Sequence, residues 1–304
     1  MTSDGQRLAA VANSNPVFIS RDGGLSWEMT GPTKTWSGVA GSADGSRLVA
    51  IDYSGEIHLS ENSGATWELA TAPAKRWRAL TASADGTRLV AVAEAGPGYS
   101  DKAGIFVSTN AGRNWQGTTA PNLPWHAVSA SADAKVVLAA PHGGRLHLSS
   151  DGGQTWRELS PEPARWGAVA VLPDGSRMAA ASWEGQIIQS ADMGGTWQSA
   201  TAAPNPWSAM AAAADGSRFY AAAYDSWEGG IHRADLAPRL TIAIASSSAT
   251  LSWSSLVPGY RLQQSCHPHN GEWTDVETTA VSTSGRYQVT LPTSQGFRVF
   301  RLIR

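Results

Sequence analysis

The hydrophobic positions of the chain fall into short runs in which small and branched residues alternate, and each run ends at a turn rich in Asp and Gly. Two such runs, WSGVAGSADGSRLVA (36–50) and WRALTASADGTRLVA (77–91), are near copies of one another. Alternation with a period of two is typical of a β-strand with one buried face, whereas an amphipathic helix repeats about every 3.6 residues. No segment shows the helical period. The pattern therefore predicts an all-β fold.

A second pattern is an octet in which Ser is followed by Asp or Asn, then by Gly, and finally by Trp, as in SSDGGQTW (149–156). An Asp or Asn side chain accepts hydrogen bonds from backbone N–H groups of its own turn, and Gly adopts a positive φ without strain. We therefore expect each octet to be a tight turn whose Trp opens the next strand and buries its ring. The five octets contain Asp22, Asn62, Asn110, Asp151 and Asp192 at the shared position.

Five further tryptophans set the period of the chain. They are Trp36, Trp77, Trp125, Trp166 and Trp207, and successive members are 41, 48, 41 and 41 residues apart. A repeat of this length indicates a propeller or another repeat array. Within one period we read four strands: strand A begins at this Trp, strand B follows an Asp-Gly turn, strand C ends in the octet, and strand D begins at the octet Trp. We expect the strand A tryptophans to pack between blades, with an aromatic rim at a channel mouth as the alternative.

The octet pattern S-x-[DN]-x-G-x-[TSN]-W resembles the Asp-box, or BNR, repeat of sialidase-like β-propellers. The resemblance implies a propeller in which the octets are structural turns, usually remote from the binding face. The repeats supply six B and six C strands but only five A and five D strands. We therefore expect an all-β, six-bladed β-propeller whose first and last blades are incomplete, with the missing strands upstream of Met1. The alternative is a ring that closes differently, or a whole chain with one short blade.

The repeat gives way to a different pattern after the propeller of residues 1–237. Residues 238–304 contain six strand-like runs separated by Ser, Gly and Pro, which predicts a small β-sandwich. The string LSW…GYRLQQS…WTDV…VTLP…FRVFRL resembles the fibronectin-III-like module that ends many secreted bacterial repeat proteins. This resemblance implies an extracellular or periplasmic protein, although residues 1–20 show no signal-peptide pattern.

Composition argues against several classes of partner. A net charge of −2 disfavours binding to nucleic acid through phosphate contacts, and no apolar run reaches the length of a membrane span. The single cysteine, Cys266, excludes an internal disulfide. The sequence leaves the oligomeric state open.

The loops between strands B and C differ from repeat to repeat, and variable loops on a rigid scaffold are common places for function. They lie on the side opposite the octets, and the sequence SWEG occurs in two of them. Aromatic rings beside carboxylates suit sugars, whose C–H faces stack on the rings while their hydroxyl groups bond to the acids. The alternative is that both SWEG tryptophans merely cover blade edges. The predicted ligand-binding residues are Tyr53, Tyr99, Asp101, Trp183, Glu184, Tyr224, Asp225, Trp227 and Glu228.

We predict a non-catalytic module that binds a glycan or a protein on this face, without a cofactor. The alternative is a glycan-active hydrolase or lyase, in which Glu184 and Glu228 would be the two carboxylates that glycoside hydrolysis requires. Sialidases carry an [FY]-R-I-P motif, which is absent here. The arginines of the same face, Arg76, Arg78 and Arg165, are expected to form a solvated basic rim.

One short segment has metal-ligand chemistry. It contains Cys266, His267 and His269 in a loop between two predicted strands. No second pair of ligands at metal spacing occurs elsewhere, so we predict no metal site. His126 and His142 are interpreted as loop residues rather than as ligands or bases.

Overall fold

The computed structural model of the protein describes residues 2, 4–94, 103–200, 205–214, 216, 218–223, 231–235, 241–245, 248–254, 261–265, 273–278, 280–283, 286–292 and 299–303. Contacts along the backbone divide the chain into two units, Met1–Ala234 and Asp235–Arg304, where the sequence predicted a boundary after residue 237. The described residues form strands, turns and irregular segments without any helix, so the fold is all-β.

The first unit is a series of antiparallel sheets, each built from strands that follow one another in the chain. Sheet 1 contains β1 (Leu8–Ala10), β2 (Asn13–Ser20) and the first half of β3 (Glu28–Gly41). Sheet 2 contains the second half of β3, β4 (Leu48–Asp52), β5 (Ile57–Ser60) and β6 (Glu68–Leu69). Sheet 3 contains β7 (Arg76–Ala82), β8 (Leu89–Glu94), β9 (Gly104–Ser108) and β10 (Gln116–Gly117).

The remaining sheets of this unit repeat the same order. Sheet 4 contains β11 (Trp125–Ala130), β12 (Val137–Pro141), β13 (His147–Ser149) and β14 (Arg157–Glu158). Sheet 5 contains β15 (Trp166–Val171), β16 (Met178–Ser182), β17 (Ile187–Ser190) and β18 (Gln198–Ser199), and sheet 6 contains β19 (Trp207–Ala212), β20 (Arg218–Ala223) and β21 (Ile231–Asp235). Among the described residues, sheets 2 to 5 have strands A to D, sheet 1 has B, C and D, and sheet 6 has A, B and C.

Strands D and A, which the sequence predicted as separate elements, are one strand of 14 residues where sheet 1 meets sheet 2. The first half of β3 pairs with β2, and its second half pairs with β4. A single extended segment therefore serves as the outer strand of one sheet and the inner strand of the next.

Each strand A contains a β-bulge directly after its tryptophan. In sheet 3, Trp77 pairs with Ala93 and Ala79 pairs with Val92, so Arg78 has no place in the ladder. The same shift follows the strand A tryptophan of the other four sheets. A bulge of this kind locally re-aims a side chain. The five residues at this bulge position are Ser37, Arg78, His126, Gly167 and Ser208.

The strand A tryptophans form the core of the interfaces between consecutive sheets. Their exposed fractions lie between 0% and 5%, and burying a large apolar side chain contributes roughly 1.5–3 kcal/mol. Trp77 makes a T-shaped contact with Phe106 on strand C of its own sheet, with ring centroids 5.2 Å apart. The alternative of an exposed aromatic rim made by these residues is therefore wrong.

Four of the octet tryptophans belong to the same interfaces: Trp67, Trp115, Trp156 and Trp197. All octet tryptophans except Trp115 are less buried than the sequence predicted. Trp115 is 7% exposed, whereas Trp67, Trp156 and Trp197 are half-buried and Trp27 is 44% exposed. In sheets 1 to 5 the strand that follows the octet has only two described residues or forms part of β3, and it is the outermost strand. Solvent therefore reaches one side of most of these rings.

The octet turns contain the side-chain to backbone hydrogen bonds that their residue types favour. In the octet at 149–156, Asp151 Oδ1 accepts from the Thr155 amide at 3.0 Å and Ser149 Oγ accepts from the Gly153 amide at 2.8 Å. Gly153 has a φ of 92°. Hydrogen bonds from Thr155, its hydroxyl first, lower the pKa of Asp151 to about 2. The Asp or Asn of the other four octets accepts the equivalent amide bond.

The second unit contains two antiparallel sheets. One has the order β22 (Thr241–Ala245), β23 (Ser248–Ser254), β27 (Arg286–Pro292) and β26 (Val281–Thr283). The other has the order β25 (Thr274–Asp275), β24 (Arg261–Ser265) and β28 (Val299–Ile303). Leu251 and Val289 of the first sheet and Leu262 of the second belong to one buried cluster.

Candidate functional site

The loops after strand B are built on a common backbone frame. The amides of Tyr53, His142 and Trp183 donate to carbonyl oxygens of the segment that precedes strand A, at 3.0, 2.7 and 2.9 Å. Each of these residues directly follows the strand B residue that pairs with the strand A tryptophan. The backbone is therefore fixed while the side chain varies. The residues at the equivalent sequence position are Tyr53, Glu94, His142, Trp183 and Tyr224, of which Glu94 is the last residue of β8 and Tyr224 lies outside the described residues.

The strand A tryptophans also hold the loop of the preceding sheet. Trp77 Nε1 donates to the carbonyl of Gly55 at 3.2 Å, Trp166 Nε1 donates to Gly144, and Trp207 Nε1 donates to Gly185. All three glycines have φ values between 94° and 121°, a region that side-chain-bearing residues rarely adopt. These tryptophans therefore help to hold the backbone of the variable loops.

Bulge and loop positions of three consecutive sheets meet around Arg78. Its guanidinium donates to Tyr53 Oη from sheet 2 and to His126 Nδ1 from sheet 4, the latter at 2.9 Å. Its Nε lies 3.5 Å from Glu94 Oε2 in its own sheet, and Glu94 Oε1 lies 2.8 Å from Arg76 Nε. The His142 ring packs edge-on against His126, with centroids 5.4 Å apart. We call this set the Arg78 cluster; its members are Tyr53, Arg76, Arg78, Glu94, His126 and His142.

The electrostatics of the Arg78 cluster follow from these contacts. Both guanidinium carbons lie over the Tyr53 ring, at 5.7 Å for Arg76 and 5.5 Å for Arg78, within the range of a cation–π interaction. Burial, followed by the charge of Arg78, lowers the pKa of His126 to about 4. A neutral His126 that accepts at Nδ1 carries its proton on Nε2. The two arginines and Glu94 together leave one net positive charge.

This arrangement corrects the interpretation of the basic and histidine residues. Arg76 and Arg78 were expected to be a solvated rim, but both form ion pairs with Glu94, and the Arg78 side chain is only 22% exposed. Arg165 alone of that group is an exposed residue. His126 lies on β11 rather than in a loop, and its ring contacts two other members of the cluster. The sequence contained one indication of this cluster, because the residue after the strand A tryptophan differs in type between most repeats.

The structure places three of the predicted ligand-binding residues. Tyr53 is half-buried in the Arg78 cluster, Trp183 is half-buried at the loop position of sheet 5, and Glu184 beside it is exposed. A Cβ on Gly167 would lie 3.2 Å from Trp183 Nε1, so the indole lies against the bulge position of its own sheet. The remaining predicted residues lie outside the described residues: Tyr99, Asp101, Tyr224, Asp225, Trp227 and Glu228, together with Cys266, His267 and His269.

A smaller ion-pair group occupies the same side of sheet 2. Glu56 lies 2.7 Å from Lys34 Nζ and 2.8 Å from His58 Nε2. The hydrogen bond from Lys34 is the largest cause that lowers the pKa of Glu56 below its usual range. Over the described part of the chain, no three His, Cys, Asp or Glu side chains stand close enough to hold a metal ion. The same residues contain no helix that is long and apolar enough to cross a membrane.

Comparisons with known proteins identify the fold. No protein-family model matches the chain, and no curated protein matches it. Among solved structures, YCF48 bound to D1 peptide is similar with a TM-score of 0.56 and 14% identity, over 82% of this chain and 86% of that one. YCF48 from Cyanidioschyzon merolae is similar with a TM-score of 0.55 and 16% identity, over 81% of this chain and 88% of that one.

A third similar structure is the GH74 xyloglucanase from Xanthomonas campestris, with a TM-score of 0.57 and 17% identity. The match covers 82% of this chain but only 49% of the xyloglucanase. These neighbours are β-propellers, and the repeated sheets described above agree with them. The chain therefore has a propeller fold. At such identities the likeness defines fold rather than activity.

Proposed function

We propose that the chain is a non-catalytic binding protein whose Arg78 cluster holds an extended segment of a partner protein. The carrying observation is that variable side chains from three consecutive sheets converge on one guanidinium, on an otherwise repeated backbone frame. Because His126 Nδ1 accepts from Arg78, the N–H of its ring is at Nε2, on the side away from Arg78. An N–H donor can bind the carbonyl oxygen of a peptide. The similar fold of YCF48 bound to D1 peptide supports a peptide as ligand.

A glycan is the second candidate, because the name of the similar GH74 xyloglucanase indicates a polysaccharide substrate and Trp183 is a half-buried aromatic residue. Sugars bind aromatic residues through the ring face. Both arginines of the cluster already lie over the Tyr53 ring. Tyr53 is therefore a poor stacking platform for a sugar, and a protein ligand is favoured over a glycan at this position.

The burial and ion pairing of three carboxylates near the Arg78 cluster, Asp52, Glu56 and Glu94, favour binding over hydrolysis. Asp52 is fully buried and accepts from the Glu56 amide, while Glu56 and Glu94 are in ion pairs. A glycosidase needs one carboxyl group whose raised pKa lets it act as an acid, whereas the pKa of Glu56 is lowered. The predicted catalytic pair of Glu184 and Glu228 remains the competing hypothesis.

The finer architecture that we propose follows the repeat. The strands of sheets 1 to 6 are proposed to be those of a six-bladed propeller, in which the described residues of the first and last blades supply three strands each, and the octets are proposed to be its Asp boxes. Residues 238–304 are proposed to be a fibronectin-III-like sandwich, supported by the buried cluster that its two sheets share. An exported, extracellular or periplasmic location is proposed on the resemblance to secreted repeat proteins.

The proposed function can be tested with a displayed library of random peptides, a glycan array and a panel of fluorogenic glycosides. We expect selected peptides to bind the wild type and to lose at least about tenfold in affinity with Arg78→Ala, since central arginines are frequent hot spots. Arg113→Ala is a matched control, because Arg113 is an exposed, ion-paired arginine of the octet at 108–115. Turnover of a glycoside, or peptides that bind Arg78→Ala as tightly as the wild type, would contradict the proposal.

A further inference from the structure

A cleft of about 400 Å³ lies between the outer edge of sheet 2 and the octet of sheet 3. One wall is formed by β6 and its neighbours in the chain, and the other by Arg113 and Asn114 of the octet at 108–115. The Thr71 amide donates to the carbonyl of Arg113 at 3.0 Å, and Thr71 forms a parallel bridge with Asn114. The two walls are therefore joined through their backbones. Sites for small ligands are commonly clefts of about 300–1,000 Å³, and we call this one the octet cleft.

Three charged side chains line the octet cleft: Glu61, Glu68 and Arg113. Glu61 Oε1 lies 2.7 Å from Arg113 Nη2. The hydrogen bond to Glu61 is the largest cause that raises the pKa of Arg113, and the charge of Glu68 adds to it. Glu68 itself forms no ion pair with another residue of the described part of the chain. Two carboxylates and one guanidinium thus leave the octet cleft with one net negative charge.

The repeat does not require these two carboxylates. Glu61 is the second residue of its octet, and Glu68 directly follows the octet tryptophan. Sheet 2 is the one sheet of the first five in which both positions are acidic. A position that varies on a constant scaffold is free to serve binding. The equivalent residues of the next three sheets are neutral or basic: Thr109, Ser150 and Ala191 at the first position, and Gln116, Arg157 and Gln198 at the second.

The uncharged lining of the octet cleft suits an aliphatic chain that ends in a cation. Leu59, Leu69 and Ala70 are apolar, and the methylene groups of a long cationic chain pack along such surface. The side chains of Thr71 and Asn114 make no hydrogen bond to other described residues. Their oxygens can accept from an ammonium group, which has three N–H donors. None of the described lining residues is aromatic, so a sugar would lack a ring to stack on.

We infer that the octet cleft binds a primary ammonium group on an aliphatic chain, carried either by a free diamine or by a lysine side chain of a partner protein. The Glu68 carboxylate pairs with the ammonium group, Thr71 and Asn114 accept its remaining N–H groups, and the chain lies along Leu59 and Leu69. The octet cleft shares no residue with the Arg78 cluster. The inference therefore stands or falls independently of the proposed function.

The test titrates the full chain with three probes and follows the backbone amide signals of Thr71 and Asn114 by two-dimensional NMR. The probes are diaminopentane, the capped tripeptide Ala-Lys-Ala, and the same tripeptide with norleucine in place of lysine. We expect saturable shifts with the first two probes and none with the norleucine peptide, which keeps the chain and lacks the charge. Equal affinities for the two charged probes indicate that the ammonium chain alone is bound. Tighter binding of the lysine peptide indicates a protein as the source.

Charge variants assign the binding to Glu68. Glu68→Gln should weaken binding of the lysine peptide about three- to fivefold, the size typical of one exposed ion pair. Glu28→Gln is the matched control, because Glu28 has the same repeat position in sheet 1, is exposed and pairs with Arg21. It removes the same charge from the chain and should leave the affinity unchanged.

A variant of Arg113 should act in the opposite direction. Arg113→Gln leaves the Glu61 carboxylate without its internal partner, so the lysine peptide should bind several-fold more tightly. A change that merely disturbed the fold would not strengthen binding. The inference would be overturned by the absence of saturable binding of both charged probes, by equal binding of the norleucine peptide, or by equal losses for Glu68→Gln and Glu28→Gln. Weaker binding to Arg113→Gln would also overturn it.

Discussion

Arg78 joins three sheets because each of its partners comes from a different one. Tyr53 belongs to sheet 2, Glu94 to sheet 3 and His126 to sheet 4. A partly buried guanidinium with three kinds of partner is held in one orientation, so its geometry is set before a ligand arrives. At the other end of the strands, the Asp and Asn side chains of the octets accept hydrogen bonds from backbone amides and so hold the octet turns in shape. The Arg78 cluster and the octet turns are thus built from different residues at opposite ends of the strands.

Asp151→Ala should lower the free energy of unfolding by about 1 kcal/mol, the typical worth of a hydrogen-bonding side chain in a turn. Its carboxylate accepts from the Thr155 amide and hydroxyl. Asp151→Asn keeps the acceptor oxygen and should cost less than half as much, because Asn62 and Asn110 fill the same role in this chain. Urea denaturation of the three proteins measures both values. Equal losses for Ala and Asn would contradict the role assigned to Oδ1.

At the scale of the element, the repeat predicted the strands well because each sheet must bury the same faces against its neighbours. The A, B, C and D order of sheets 2 to 5 was therefore predicted from the repeat. The repeat did not predict the continuity of β3, which depends on how two sheets meet. It also did not predict the Arg78 cluster, because bulge and loop positions 25 to 48 residues apart come together only through the bulge and the packing of three sheets. In the sequence alone, a residue that varies at one position of each repeat cannot be distinguished from a residue that varies because it is exposed on the surface.

Gly167 tests how closely the strands A of sheets 5 and 6 approach. A Cβ at this position would lie 2.0 Å from the carbonyl oxygen of Trp207, so Gly167→Ala must push β15 and β19 apart. Overpacking of this kind costs about 1–3 kcal/mol, and we expect a melting temperature lower by several degrees. Gly143→Ala is the control, since a Cβ there meets nothing within 4 Å. Equal melting temperatures for the two variants would contradict the close approach.

On the scale of the whole molecule, the lowered pKa values of the turn carboxylates and of His126 both make the folded protein less stable in acid. The turn carboxylates of Asp22, Asp44, Asp85 and Asp151 have a pKa of about 2 in the folded protein. Because this is below the unfolded value near 3.8, their stabilisation is present above pH 4 and is lost as the pH falls through about 2. His126 has a folded pKa of about 4, below the usual value near 6.5. Its unfolded form gains a proton first, so stability falls between about pH 6.5 and 4.

We therefore predict a chain whose stability falls in two steps on acidification, with the first step centred on His126. For His126→Gln the loss of stability between about pH 7 and 4.5 should become smaller, because the unfolded chain no longer gains a proton at this position before the folded chain does. Part of the first step should remain, because burial also lowers the pKa of His147. His142→Gln, at an exposed neighbour, is the control and should retain most of the first step. Urea unfolding at about pH 7, 4.5 and 2.5 measures both steps, and stability that rises on acidification would contradict the buried, neutral state assigned to His126.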